Sequence, residues 1–339
     1  MKRILVLLFF LAVTIRLFYF PNNIYFAYDQ ARDSFTSLEI LKGDLKIVGP
    51  PSAANDKLFP GPLIFYIYAP IYFLFDKSPE AIAFFLRIIN SIGAILTFFI
   101  TSNIFNKRVG LIASLIYAIS YETSQYSLFL SHQALAVVTV LIFYLGLSNL
   151  IFKGKKSGLI LAAFGMGLSI QFHYIYIILV PIFVLIVFIF RKNLISVDFK
   201  YLSTTLAVFI LTISTYIISE IKFNFRVTTG LLGSGTTSGL HINETIFTVG
   251  RMIHDNLISN YSFVPTFGTI LVIFITYFLL KAKTRSRLIF LITWFLGGLT
   301  PYLLSGSISY YYSAGVIVSL IIFQSFLIDY FWQKKKLLS

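Results

Sequence analysis

The chain has 339 residues, 58% of them hydrophobic and only 12% charged, with a mean hydropathy of +0.86. A soluble globule carries about 25% charged residues, so this sequence has too little polar surface to cover itself in water, and lipid must be its solvent. The absence of cysteine excludes disulfides, thiolate metal sites and a cysteine nucleophile. A net charge of +14 suggests nucleic acid only if the basic residues form one solvated patch.

In chain order, Met1-Lys2-Arg3 precedes an apolar run to Phe20 that only Arg16 interrupts. No small-residue cleavage site follows, so the run reads as an uncleaved first span. Residues 21–80 make a first large connection. Within it, residues 30–42 place Ala31, Phe35, Leu38 and Leu41 at helical spacing and stop at Gly43. This predicts a short amphipathic helix on the membrane surface. Asp29 stands at its N-cap position, with Arg32 and Asp33 one turn later. The apolar piece from Pro62 to Phe75 reaches about 21 Å as a helix, short of a hydrocarbon core of about 30 Å. It reads as an interfacial or re-entrant helix.

Further apolar stretches lie at about 81–105, 109–122, 131–152, 157–173, 174–190, 201–220, 263–280, 288–304 and 308–332. With the first run they predict about ten crossings. The spans at 109–122 and 157–173 are short, so their outer ends should leave room for a cavity. Residues 221–262 form a second large connection, in which Gly230 to Gly239 reads as a flexible loop.

The basic residues sort by connection. Lys2 and Arg3, Lys107 and Arg108, Lys153 to Lys156, Arg191 to Lys200, Lys281 to Arg287 and Lys334 to Lys336 hold 17 of the 27 basic residues with two acids, Asp198 and Asp329. The positive-inside rule places this set in the cytoplasm with both termini. The remainder is nearly neutral, with 10 basic and 11 acidic residues. The charge excess is thus a topology signal, and nucleic-acid binding drops out. The expected architecture is an all-α integral membrane protein, one polytopic domain over 1–339 in the plasma membrane, with no separate soluble C-terminal domain.

The outer side carries the isolated polar groups. They are Asp29, Arg32, Asp33 and Lys57 in the first connection, Arg87 just inside a span, and Glu122, Gln171, His173, Glu220, Lys222, Arg226 and Tyr310 near span ends. A charge at mid-bilayer costs roughly 2.5–3.5 kcal/mol, so such groups face the bundle interior or water. Alone, Asp29 reads also as a plain helix N-cap, Arg32 and Asp33 as an exposed helix-face ion pair, and the others as snorkelling residues or interhelical pairs. Together they converge on one height. The four histidines, at 132, 173, 241 and 254, show no metal-ligand spacing. The residues call for no cofactor, and a divalent cation stays open.

Several segments follow one family pattern. They are Tyr28-Asp29-Gln30-Ala31-Arg32-Asp33, Ile40-Leu41-Lys42-Gly43-Asp44, Gly49-Pro50-Pro51-Ser52, Gly61-Pro62-Leu63-Ile64-Phe65-Tyr66 and Arg87, then Gln171-Phe172-His173-Tyr174 and Glu220 with Phe223 and Phe225. Over about residues 5–230 the chain resembles glycosyltransferase family 39, which includes protein O-mannosyltransferases and the enzymes that put aminoarabinose on lipid A. Two departures stand out. Gln30 takes the place of a Glu that often follows the loop Asp, and the sequence ends without the soluble domain many relatives carry. The resemblance implies a GT-C bundle and a sugar donor linked to a polyprenyl phosphate. It also implies a single inverting displacement on the outer face, toward an acceptor hydroxyl on a glycan, lipid or protein.

The residue chemistry agrees. A lipid-phosphate leaving group needs cations, and Arg32, Lys57, Arg87, Lys222 and Arg226 are available. The acceptor hydroxyl must lose a proton, and Asp29 is the placed base, which partial burial would strengthen. Asp33, Gln171, His173, Glu220 and Tyr310 would support the substrates. A flippase for lipid-linked sugars would gather its charges near the midplane, and a non-catalytic assembly protein would tolerate loss of Asp29.

Overall fold

The structure is a computed structural model that describes residues 1–51, 58–193, 197–233, 241–247, 277–278, 281–305 and 315–338. The helices run in order as α1 (Lys2–Arg16), α2 (Tyr28–Ile40), α3 (Leu63–Leu74), α4 (Pro79–Ile104), α5 (Lys107–Ile119), α6 (Tyr121–Gln125), α7 (His132–Lys153) and α8 (Ser157–Phe172). A 3-10 turn at Tyr174–Ile178 leads into α9 (Leu179–Ile189), followed by α10 (Phe199–Thr212), α11 (Ser214–Lys222) and α12 (Arg226–Gly233). The chain closes with α13 (Ala282–Ser305) and α14 (Ile317–Leu338). No strand occurs among the described residues, only an isolated bridge between Tyr25 and Phe129.

Local chemistry sets the boundaries. Ser78 accepts a hydrogen bond from the Ala81 N–H with Pro79 at the first helical position, which starts α4. Gly154 takes φ 64° and ends α7. Lipid tails are as apolar as leucine, so helices associate here through close packing rather than water exclusion. Accordingly α7 lies along α8 with glycines at the contact. A Cβ on Gly146 would sit 2.6 Å from the Gly158 carbonyl oxygen. Helix α4 packs between α1, α5 and α7, while α8 meets α10 and α5 meets α14.

Helices α4 and α7 are each long and apolar enough to cross a membrane, and α10 and α11, bent by 57° at the break between them, reach that length and hydropathy only together. Helices α3 and α8 and the stretch Tyr174–Ile189 are apolar but shorter. The short helix expected at Pro62 to Phe75 is therefore present, and the expected span at 109–122 breaks at Ser120 into α5 and α6. Most of the span expected at 263–280 lies outside the described residues. So does most of the expected flexible loop at 230–239, although residues 230–233 close α12.

The bundle has two chemically distinct ends. At one, Arg108 Nε of α5 lies 2.6 Å from Asp329 of α14, and Lys156 Nζ before α8 lies 3.0 Å from Asp198 before α10. The two acids of the basic connections thus each pair with a cation from a different basic connection. The opposite end carries α2, α3 and α6.

Helix α2 is amphipathic, as expected, with its polar side turned to the protein. Its buried face is polar, made of Gln30, Asp33 and Ser37, whereas Tyr28 and Phe35 are exposed. In lipid the gain comes from satisfying polar groups inside the protein, so the polar face turns inward.

Candidate active site

Helix α2 organises the site. It begins two residues earlier than Asp29 would require of an N-cap. Ala27 is the cap, and the Gln30 side-chain oxygen accepts from the Ala27 N–H at 3.0 Å. Asp29 therefore sits in the first turn, where a carboxylate complements the helix dipole. The Gln that departs from the family's Glu performs the backward half of a capping box.

Arg32 is the hub. Its Nη1 donates to Asp29 Oδ1 at 2.8 Å and its Nε to Asp33 Oδ1 at 2.9 Å, while Nη2 lies 2.8 Å from the same Asp33 oxygen. The two carboxylates differ in solvation, with Asp29 63% exposed and Asp33 2%. The partial burial expected to strengthen Asp29 is absent. Asp33, expected to form an exposed helix-face pair, is instead the buried anchor of the clamp.

Helix α3 backs this arrangement. Ser34 Oγ and Tyr72 Oη lie 2.6 Å apart. The Tyr68 hydroxyl is buried beside Asp33, and burial first, then the Asp33 charge, pushes it well above the usual phenol range, so it stays neutral. From the start of α7, His132 Nδ1 approaches Asp33 Oδ2 to 3.8 Å, and its ring stacks on His173 with centroids 5.7 Å apart. His173 Nδ1 accepts from the Ile175 N–H at 3.2 Å and so caps the turn after α8.

Gln171 joins three segments. Its Nε2 donates to the Thr212 carbonyl at 2.8 Å and to Thr215 Oγ1 at 2.7 Å, the residues flanking the α10–α11 break. Its own carbonyl accepts from the Gly61 N–H at 2.8 Å, and a Cβ at Gly61 would collide with the Gln171 side chain. The close approach needs glycine.

Beyond the break lies a cavity of about 240 Å³ lined by Val48, Phe59, Ser219, Glu220, Phe223, Arg226 and Val227. Tyr216 Oη donates to the Phe59 carbonyl at 2.6 Å and fixes one wall. The Arg226 guanidinium lies 4.8 Å from the centre of the Phe59 ring, and Lys222 Nζ lies 5.7 Å from that of Phe223. Two successive left-handed residues, Asn224 (φ 52°) and Phe225 (φ 56°), turn the chain from α11 into α12. The turn lets Glu220 accept from the Val227 and Thr228 N–H groups, both at 2.9 Å. Glu220 thus caps α12 and forms a wall of the cavity.

Arg87 is placed elsewhere. It is fully buried, and its guanidinium donates to the carbonyls of Arg16 at 3.1 Å and Ala83 at 3.0 Å and to Asn23 Oδ1 at 2.9 Å, under the Phe20 ring. It ties the end of α1 to α4 and does not reach the cavity lining. Arg16 is buried likewise, bonded to Asn90 Oδ1 at 2.5 Å, the Ala118 carbonyl at 3.1 Å and Thr123 Oγ1 at 3.2 Å. Glu122 is buried and accepts from Tyr126 Oη at 2.7 Å. Lys57 and Tyr310 lie outside the described residues. Among the described residues no group of three acidic or histidine side chains is arranged to hold a metal ion.

Residues 60–218 match the family described as dolichyl-phosphate-mannose-protein mannosyltransferase. ArnT from Cupriavidus metallidurans, solved bound to undecaprenyl phosphate, superposes with a TM-score of 0.68 at 13% identity, over 97% of this chain and 59% of that one. The chain has a GT-C glycosyltransferase fold. The oligosaccharyltransferase of Archaeoglobus fulgidus, tethered to an acceptor peptide, gives a TM-score of 0.61 at 15% identity over 97% of this chain and 49% of its own. The same archaeal enzyme with an inhibitory peptide and a dolichol-phosphate gives 0.57 at 16% identity, over 99% of this chain and 51% of its own. The chain therefore spans 59% or less of the length of these proteins. No curated protein matches it in sequence. The resemblance read from the sequence is borne out by the family match over residues 60–218 and by the shared fold.

Proposed function

We propose that this protein transfers a sugar from a polyprenyl-phosphate-linked donor to an acceptor hydroxyl, by a single inverting displacement on the outer face of the plasma membrane. The observation that carries the reading is the clamp on α2, an exposed carboxylate, Asp29, oriented by a guanidinium anchored on the buried Asp33. An acceptor hydroxyl reaching Asp29 finds an oriented oxygen ready to take its proton as attack on the sugar carbon begins. Both arms of the Arg32 fork are engaged by carboxylates, so Arg32 serves the base rather than the phosphate. The cavity beside Arg226 and Lys222 supplies cations and an aromatic wall for the phosphoryl leaving group, and Lys57 and Tyr310 are retained as further contacts. Gln171, His173 and Glu220 hold the segments that carry these groups, and Arg87 holds the helices beneath.

The donor implied is a polyprenyl-phosphate sugar, the acceptor a glycan, lipid or protein, and the surroundings a bilayer. The reading makes 1–339 a single polytopic unit of about ten spans with both termini cytoplasmic. Purified protein in nanodiscs, supplied with radiolabelled polyprenyl-phosphate mannose and an envelope extract, should transfer label, and Asp29→Asn should abolish transfer while keeping the helical spectrum. Wild-type transfer rates in Asp29→Asn would sink the assignment. Mass spectrometry of envelope lipids and glycans with and without the protein identifies the product.

A further inference from the structure

The clamp leaves a charge imbalance. One guanidinium serves two carboxylates, and Arg32 meets Asp33 only through Oδ1. The other oxygen, Oδ2, faces His132 Nδ1 at 3.8 Å, and that nitrogen has no hydrogen-bond partner among the described residues. The His132 side chain is 11% exposed, so little water reaches it. The groups around this face are known from each packed element. Helix α2 presents Asp33 and Arg32, and α3 presents Tyr68 beside Asp33. The residue after α8 presents the His173 ring.

Resting on the glycosyltransferase reading, we propose that His132 is a positioning residue for the base. Its imidazole, held against Asp33 by stacking on His173, sets how Arg32 is shared between Asp33 and Asp29. When the imidazole carries a proton, Asp33 has a second cation on its free oxygen and its hold on Arg32 slackens. The guanidinium then binds Asp29 more closely and withholds the carboxylate from the acceptor. When the imidazole is neutral, Asp33 draws Arg32 inward and Asp29 is released for proton transfer. The ring thus ties the availability of Asp29 to whether the imidazole carries a proton. No atom of His132 touches the acceptor in this scheme.

Two measurements test it on the full chain in nanodiscs of phosphatidylglycerol and phosphatidylethanolamine. The first needs no substrate. In protein labelled with nitrogen-15 histidine, the His132 signal is assigned by its loss in His132→Gln. If that variant does not fold, His173→Gln, His241→Gln and His254→Gln assign it by elimination. The His132 titration midpoint should move by about half a pH unit or more in Asp33→Asn, since adjacent charges act at this scale. A midpoint unmoved by Asp33→Asn overturns the proposal.

The second measurement is the pH profile of transfer from polyprenyl-phosphate mannose. Wild type should lose transfer at the acid end of its profile through an inflection that both His132→Gln and Asp33→Asn remove. His132→Phe, which takes up no proton, should hold kcat at the wild-type alkaline plateau across the profile with the donor KM unchanged. A His132→Gln profile that follows wild type at every pH overturns the inference and leaves the enzyme reading intact. Absence of transfer by any form overturns the enzyme reading instead, and the titration still decides the coupling.

Discussion

Arg32 and Asp33 should behave as a unit, and the size of their coupling can be worked from the contacts. Asp33, 2% exposed, receives a hydrogen bond of 2.9 Å from Arg32 Nε and lies 2.8 Å from its Nη2. Removing the guanidinium with Arg32→Gln leaves a buried carboxylate without its partner, a change that costs about 3–5 kcal/mol at full burial. Arg32 is 24% exposed, so water recovers part of this, and a loss of about 2–3 kcal/mol is expected. Asp33→Asn should cost less than Arg32→Gln, because Arg32 keeps its 2.8 Å pair with Asp29. The double variant Arg32→Gln/Asp33→Asn carries no buried charge at this pair and should cost less than the sum by about 2 kcal/mol. With no cysteine in the chain, thiol dyes cannot report unfolding, so helical dichroism or the emission of the two tryptophans is followed in bicelles. Single effects that add within about 0.5 kcal/mol would refute the claim that Asp33 anchors the clamp.

Arg87→Lys should lower the unfolding midpoint by several degrees, because one ammonium cannot reproduce a planar fork bonded to Arg16, Ala83 and Asn23. The donor KM of the folded fraction should stay at the wild-type value, and a raised KM would return Arg87 to the phosphate. Gln171→Leu strands the Thr212 carbonyl and the Thr215 hydroxyl at the bend, a cost of about 1–3 kcal/mol. Hydrogen exchange should accelerate around residues 212–215 and at Gly61, and protection equal to wild type would contradict the linkage. Arg226→Ala should raise the donor KM about tenfold or more through loss of a charge-assisted contact with unfolding unchanged. A normal KM in steady-state transfer assays would remove the cavity from the donor site.

Much of the architecture was readable from hydropathy and charge. The crossings at α4 and α7 follow from uninterrupted apolar runs, and the short α3 from a run too brief to span. The pairing of Asp198 and Asp329 with Lys156 and Arg108 matches the sorting of those residues onto one side. The polar partners were not readable, for physical reasons. Arg87 is held mainly by backbone carbonyls, which have no sequence signature, so a buried structural arginine and a ligand arginine look alike. Helix α2 was readable as amphipathic, but the polar partners of its inner face were not, because spacing of apolar residues locates the protein-facing side only when water is the solvent. His132 lies 99 positions beyond Asp33 in the chain, and nothing local marks their approach. The signal that could have found it was a histidine opening an apolar span, where an unpaired polar ring is costly. The break between α10 and α11 leaves no glycine or proline at Ile213, and only the Gln171 contacts identify it.

The outward face of α2 has a consequence for any attempt to isolate this protein. Tyr28 and Phe35, 81% and 68% exposed, hang from the same short helix that carries Asp29. In a native bilayer such side chains rest among headgroups and acyl chains; in a small, harsh micelle they are left to find other cover. A helix of 13 residues is marginal by itself, so the medium becomes part of the catalyst. Turnover measured in nanodiscs and in short-chain detergent should differ more than global unfolding does, because solubilisation strips support from α2 before it reaches α4 or α7.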